Sequence, residues 1–139
     1  MSIFIEDTEL IDIKVYYKKS GHNYKAYTDS ELKDLKLKEE TRKKYQCLNL
    51  KMKPMTWALF NDFQDKAMVE SPSGERYFNF KVYKENKIKE LVREWDAKKD
   101  DKPAQVDPNA LSKLAPAIAE TILRAYDEVS LLDEDEEKN

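Results

Sequence analysis

The chain has 139 residues, the length of a single domain, with 38% of them charged and a mean hydropathy of −0.85. Leu, Ile, Val and Phe number 31, and eight Tyr and two Trp add buriable area, so a modest core is expected. No apolar run approaches the ~20 residues that span a bilayer, no secretory leader is expected, one Cys excludes an internal disulfide and one His excludes a His-rich metal site.

The net charge of −3 is more than accounted for by Asp133–Glu137, five acids in a row. Such a run repels itself and is expected to form a solvated tail over residues 133–139. The densest basic stretch, Lys33 to Lys44, is interleaved with Glu31, Asp34, Glu39 and Glu40. That mixture reads as an ordinary surface, so a nucleic-acid partner is not expected.

In chain order, Glu9–Tyr17 alternates Ile11, Ile13, Val15 and Tyr17 with polar residues, the period of a half-buried strand. Lys19–Asn23 contains Gly and Asn, which tolerate positive φ, and Tyr24–Tyr27 reads as the return strand of a hairpin. Asp29 and Ser30 are candidate N-caps of a short helix carrying Leu32, Leu35 and Leu37. Tyr45–Lys53 alternates again, with Leu48, Leu50 and Met52 on one face, and Pro54 ends it. Thr56 caps a helix over Trp57–Met68 with Phe60, Phe63 and Ala67 as its apolar stripe. Ser71–Gly74 is a loop. Ile88, Leu91, Val92 and Trp95 fall at i, i+3, i+4 and i+7, predicting a helix that begins between Phe80 and Asn86 and ends near Asp96. After a polar loop, Asp107-Pro108 sets an N-cap and Pro at N1 for a short helix with Leu111 and Leu114. Pro116 opens a last helix with Ile118, Ile122, Ala125 and Val129 as its stripe, supported by Leu123 and Tyr126, expected to stop before Leu132. The fold class is therefore α+β, an N-terminal hairpin or small antiparallel sheet followed by a mainly helical half. Residues 1–132 form one domain, β-rich over 1–53 and helical over 54–132.

Chemistry is sparse in this pattern. His22 sits in the hairpin turn with no carboxylate nearby in sequence, and Cys47 lies on the polar face of its strand. Two glycines, Gly21 and Gly74, cannot build a phosphate cradle. Glu85, Glu90 and Glu94 have helical spacing but stand among Lys84, Lys87, Lys89 and Arg93, as in surface ion pairs. No catalytic residue, metal site or cofactor is expected, and the chain reads as a non-enzyme. The aromatics Trp57, Phe60, Tyr77, Tyr83 and Trp95 are the candidate partner-binding residues, because Trp and Tyr dominate interface hot spots. The same surface would serve a homo-oligomer.

The order of elements from about Leu50 to Leu132 resembles the small tail assembly chaperones of long-tailed bacteriophages. The resemblance rests on Lys53-Pro54-Met55-Thr56-Trp57 opening an aromatic helix, the Ser-Pro-Ser-Gly loop and the helix ending Leu91-Val92-Arg93-Glu94-Trp95-Asp96. It continues through Val106–Ile118 and a last helix containing Tyr126-Asp127-Glu128. It implies a protein of the host cytoplasm that binds the tape measure protein, helps tail tube subunits assemble on it and is absent from the finished virion. Two other readings remain: a small structural or neck component of the virion, and a phage-borne acidic inhibitor of a host nucleic-acid-binding protein.

Overall fold

The computed structural model describes residues 3–138, with side chains through Ser130. Its centre is a four-stranded antiparallel sheet in the order β2-β1-β3-β6, built from β1 (Ile11–Ser20), β2 (Asn23–Thr28), β3 (Gln46–Met52) and β6 (Val92–Trp95). The class is α+β, as the sequence pattern predicts. The hairpin β1–β2 turns on Gly21-His22, with Ser20 opposite Asn23. Gly21 has φ +65, as the first central position of a type II′ turn requires. Register places Ile13 opposite Leu50 and Val15 opposite Leu48, so these four bury one face together with Met52. The alternating polar residues Asp12, Lys14, Cys47, Asn49 and Lys51 take the outer face.

Strand β6 is the main departure from expectation. The helix α4 (Phe80–Leu91) ends at Leu91, and Val92–Trp95 pairs with β3 instead of continuing to Asp96. Met52 pairs with Val92, Lys51 with Glu94 and Leu50 with Trp95, leaving Arg93 as the extra residue of a bulge. Asp96 closes the strand, accepting from the Asn49 backbone N–H at 2.8 Å and the Asn49 Nδ2 at 2.7 Å. The sheet thus draws one strand, β6, from the half expected to be mainly helical.

Helix α6 (Pro116–Lys138) crosses the inner face of β1 and β2 with Ile118, Ile122, Leu123, Ala125 and Tyr126 buried. It runs on through the acidic run rather than stopping before Leu132, because no Pro or Gly interrupts it; the side chains of the expected tail lie outside the described residues. Helix α3 (Trp57–Ala67), capped by Thr56 as expected, packs against α4, which in turn packs on α6. Between α3 and α4 the Ser71–Gly74 loop is the tip of a small hairpin, β4 (Met68–Glu70) and β5 (Arg76–Phe78), which the sequence pattern did not suggest. The polar loop after Asp96 folds as a second one, β7 (Lys98–Lys99) and β8 (Lys102–Pro103), turning on Asp100 and Asp101, both at positive φ. Helix α5 (Pro108–Ser112) has the expected Asp107 cap, its carboxylate accepting from the Ala110 N–H at 2.7 Å.

Helix α1 (Asp29–Asp34) is capped by Thr28 rather than by the expected Asp29 or Ser30, one and two residues later, in a complete capping box with Glu31. Leu32 is buried, Leu35 is exposed, and a further turn of helix, α2 (Glu39–Arg42), follows. The box is locked to α6. Thr28 Oγ1 and Ser30 Oγ donate to the two oxygens of Glu128 at 3.0 and 2.9 Å, and Arg124 donates to Glu31 from Nε and Nη2 at 3.1 and 3.2 Å. Partial burial works against the charge on Glu31, but the Arg124 guanidinium and the Thr28 hydrogen bonds outweigh it and hold the carboxyl below its ordinary value.

Candidate protein-docking surface

The five aromatic residues expected to face a partner divide into two groups. Trp57 is 81% exposed, Tyr77 49% and Phe60 44%, whereas Tyr83 and Trp95 are half-buried against the core. Trp95 lies inward opposite Leu50, and its Nε1 donates to the Ala104 carbonyl at 2.7 Å, which ties the β7–β8 segment to the sheet. Tyr83 meets buried Phe63 edge-on at 6.3 Å and anchors a chain of rings that continues to Phe78 and Phe80.

Helix geometry explains why Phe60 fails as a core residue. Each three-residue step swings the side chain about 60° back around the helix. Phe63 and Ala67 face the core, Phe60 stands one step off it and Trp57 two steps off, on the solvent side. Phe80, 66% exposed, and Met68 join them from the neighbouring hairpin and α4. One continuous segment, 57–80, therefore presents Trp57, Phe60, Met68, Tyr77 and Phe80 to solvent. Met68 and Phe80 were not among the expected partner-binding residues, although Phe80 belongs to the same aromatic run as Tyr77. Ile3, Phe4 and Ile5, near the start of the sequence, are also exposed.

The residues weighed for chemistry do not converge. His22 is exposed at the hairpin turn. Cys47 is exposed on the outer sheet face, and desolvation, opposed by Lys14, raises its thiol pKa, which disfavours the nucleophilic thiolate. Glu90 pairs with Lys53 and Arg93 at 3.9 and 3.6 Å, Glu94 stands on β6 beside Lys51, and Glu85 projects from α4, so the three acids share no face. Among the described residues no group of three or more His, Cys, Asp or Glu could hold a metal ion.

Two buried polar arrangements join residues too far apart in sequence to be read from it. One is the Thr28–Glu128 lock. The other is Lys87, 7% exposed, whose Nζ lies 5.7 Å from the Tyr83 ring centroid and 5.4 Å from that of Tyr126 and bonds Asp127 at 2.9 Å. The Tyr126 hydroxyl donates to the Lys53 carbonyl at 2.9 Å, and burial, with the Asp127 charge, pushes its pKa up to about 12. These groups are saturated by one another and serve the fold.

No protein-family model matches the chain, no curated protein matches its sequence and no solved structure matches its fold.

Proposed function

We propose that this chain is a non-enzymatic binding protein that docks a protein partner on the 57–80 surface, and that it serves as a tail assembly chaperone of a long-tailed bacteriophage in the host cytoplasm. The observation that carries the docking reading is the exposure of Trp57, Phe60, Met68, Tyr77 and Phe80 on one short segment. Large aromatic side chains left in water by a chain with few apolar residues to spare are the material of interface hot spots. The chaperone role rests on the sequence resemblance. A charged body with large apolar side chains left exposed suits a protein that keeps a long, aggregation-prone tape measure protein soluble while tail tube subunits gather on it.

The test is co-expression with the tape measure protein of the same phage. The wild-type chain is expected to raise the soluble fraction and to co-purify with it, and purified virions are expected to lack the chain. Trp57→Asp, at the most exposed of these positions, should leave the unfolding free energy within about 0.5 kcal/mol of wild type and abolish co-purification; Phe80→Asp, which also gives up ring contacts with Phe78 and Tyr83, should abolish it at a larger cost in stability. Stoichiometric copies in virions would replace the chaperone role with a structural one, and unchanged co-purification by both variants would remove the docking surface.

A further inference from the structure

Two stretches that the fold brings side by side carry nine cations and no acid. Ile13–Thr28 carries Lys14, Lys18, Lys19 and Lys25 with no acid, and Thr41–Lys53 carries Arg42, Lys43, Lys44, Lys51 and Lys53 with no acid. Register joins them, because Gln46 at the start of β3 pairs with Tyr17 at the far end of β1. Arg42–Lys44 immediately precedes this pair, and Arg42, Lys43 and Tyr45 line a depression with Tyr16 of β1. The segment that looked mixed in sequence is divided by the fold. Lys33 is taken up by Asp29 at 3.0 Å in α1, whereas Arg42 lines a depression with Tyr16 and Tyr45 whose one acid, Glu39, is paired with Lys43.

On the outer face, Lys18 stands directly opposite Lys25 and Tyr16 directly opposite Tyr27. Like charges facing each other across a strand pair destabilise it, a cost that an anionic partner removes. Among the described residues no carboxylate comes within ion-pair distance of Lys18, Lys19, Lys25, Arg42 or Lys44, whereas Lys51, Lys84, Lys87 and Arg124 each have one. Tyr45 meets Tyr27 edge-on at 5.9 Å, and a depression of about 430 Å³ lies beside this pair, lined by Tyr16, Leu32, Glu39, Arg42, Lys43 and Tyr45. Glu39, the one acid in it, is spanned by Lys43 at 3.6 Å.

We propose that the outer face at the hairpin end of the sheet binds a single-stranded polynucleotide, with Tyr16, Tyr27 and Tyr45 as the platform for bases and Lys18, Lys25, Arg42 and Lys44 on the phosphates. Cations interleaved with aromatic rings are how single strands are held without sequence readout. An acidic polypeptide would satisfy the cations but leave the tyrosine platform without a function. The proposal stands apart from the 57–80 surface and does not depend on it.

The test is fluorescence anisotropy of the full chain with an end-labelled single-stranded DNA of about 15 nucleotides at about 50 mM salt. Saturable binding is expected, weakening with salt. The K18Q/K25Q/R42Q variant should lower the log–log salt slope by about 2, at roughly 0.7 per phosphate contact, and weaken binding about tenfold or more. Tyr45→Leu should weaken binding about fivefold or more with the slope unchanged, since it removes stacking and no charge. Lys84→Gln, on α4, should change neither quantity. If the triple variant loses its circular dichroism, Lys25→Gln on the exposed edge strand carries the test with a slope change of about 0.7. Absence of binding, equal competition by polyglutamate, equal affinity for duplex, or a Tyr45→Leu variant that binds like wild type would each overturn the proposal.

Discussion

Tyr126 shows how one side chain can serve the core and the polar structure together. Its ring is buried and flanks the Lys87 ammonium, and its hydroxyl reaches the Lys53 carbonyl where the chain leaves β3. The same Lys53 is held on its other side by its N–H, which donates to the Leu91 carbonyl at 2.8 Å. Tyr126→Phe should cost about 1 kcal/mol at neutral pH, the worth of one hydrogen bond whose acceptor is left behind. It should also change the alkaline limb of stability. Ionisation is harder in the folded chain, so the unfolded chain loses this proton first. The stability that follows is complete below pH 10 and lost as pH rises through about 12. Urea melts across that range should fall more gently for Tyr126→Phe than for wild type. Tyr16, Tyr17 and Tyr45, all raised by burial, keep part of the slope. Identical slopes would show that Tyr126 ionises as freely in the folded chain as in water.

Among the elements, those legible in the sequence are the ones whose side-chain period matches their backbone. Hairpin β1–β2, strand β3, helix α3 and the Asp107-Pro108 start of α5 were all readable, because alternation, caps and turn residues act within a few positions. Strand β6 was misread for a specific reason. A bulge at Arg93 sends both Val92 and Trp95 inward, three residues apart, and so reproduces the spacing of a helical stripe. The cap of α1 lies one residue before Asp29 and two before Ser30, at Thr28, whose capping box with Glu31 is local and legible; only its bond to Glu128, 100 positions away, is not. The exposed aromatics were half legible. Trp57, Phe60 and Tyr77 were assigned to the surface together with Tyr83 and Trp95, which tertiary packing draws inward. The α1 cap gives a measurable consequence. Thr28→Ala removes an N-cap and a bond to Glu128, and should cost about 1–2 kcal/mol. Glu128→Ala should cost less, since Ser30 and Thr28 keep local partners. A double-mutant cycle by urea unfolding should return a coupling of about 0.5–1 kcal/mol between them, and additivity would mean that the helix and the hairpin are held by apolar packing alone.

At the scale of the whole molecule, the sheet cannot be assigned to one half of the chain. Residues 1–53 supply three strands whose inner face carries Ile13, Val15, Leu48, Leu50 and Met52. That face is covered only by side chains from beyond residue 53: Phe63 of α3, Ile88 and Leu91 of α4, Val92 of β6, and Ile122 and Tyr126 of α6. A large apolar side chain stabilises the fold by roughly 1.5–3 kcal/mol when buried, and these five would be returned to water in an isolated N-terminal half. The C-terminal half is no better placed, because α6 would lose the sheet on which Ile122 packs and β6 would lose the only strand with which it pairs. A chain cut at residue 53 should therefore give two fragments, 1–53 and 54–139, neither of which folds alone. Separately each should show collapsed amide dispersion by NMR and no cooperative thermal transition. Mixed at high concentration, they should recover part of the native circular dichroism, since the interface between them is the core itself. A 1–53 fragment with dispersed amides and its own melting transition would mean that the outer-face layer of α1, Leu32 and the three tyrosines is a sufficient core, and that the helices are a later addition to an autonomous sheet.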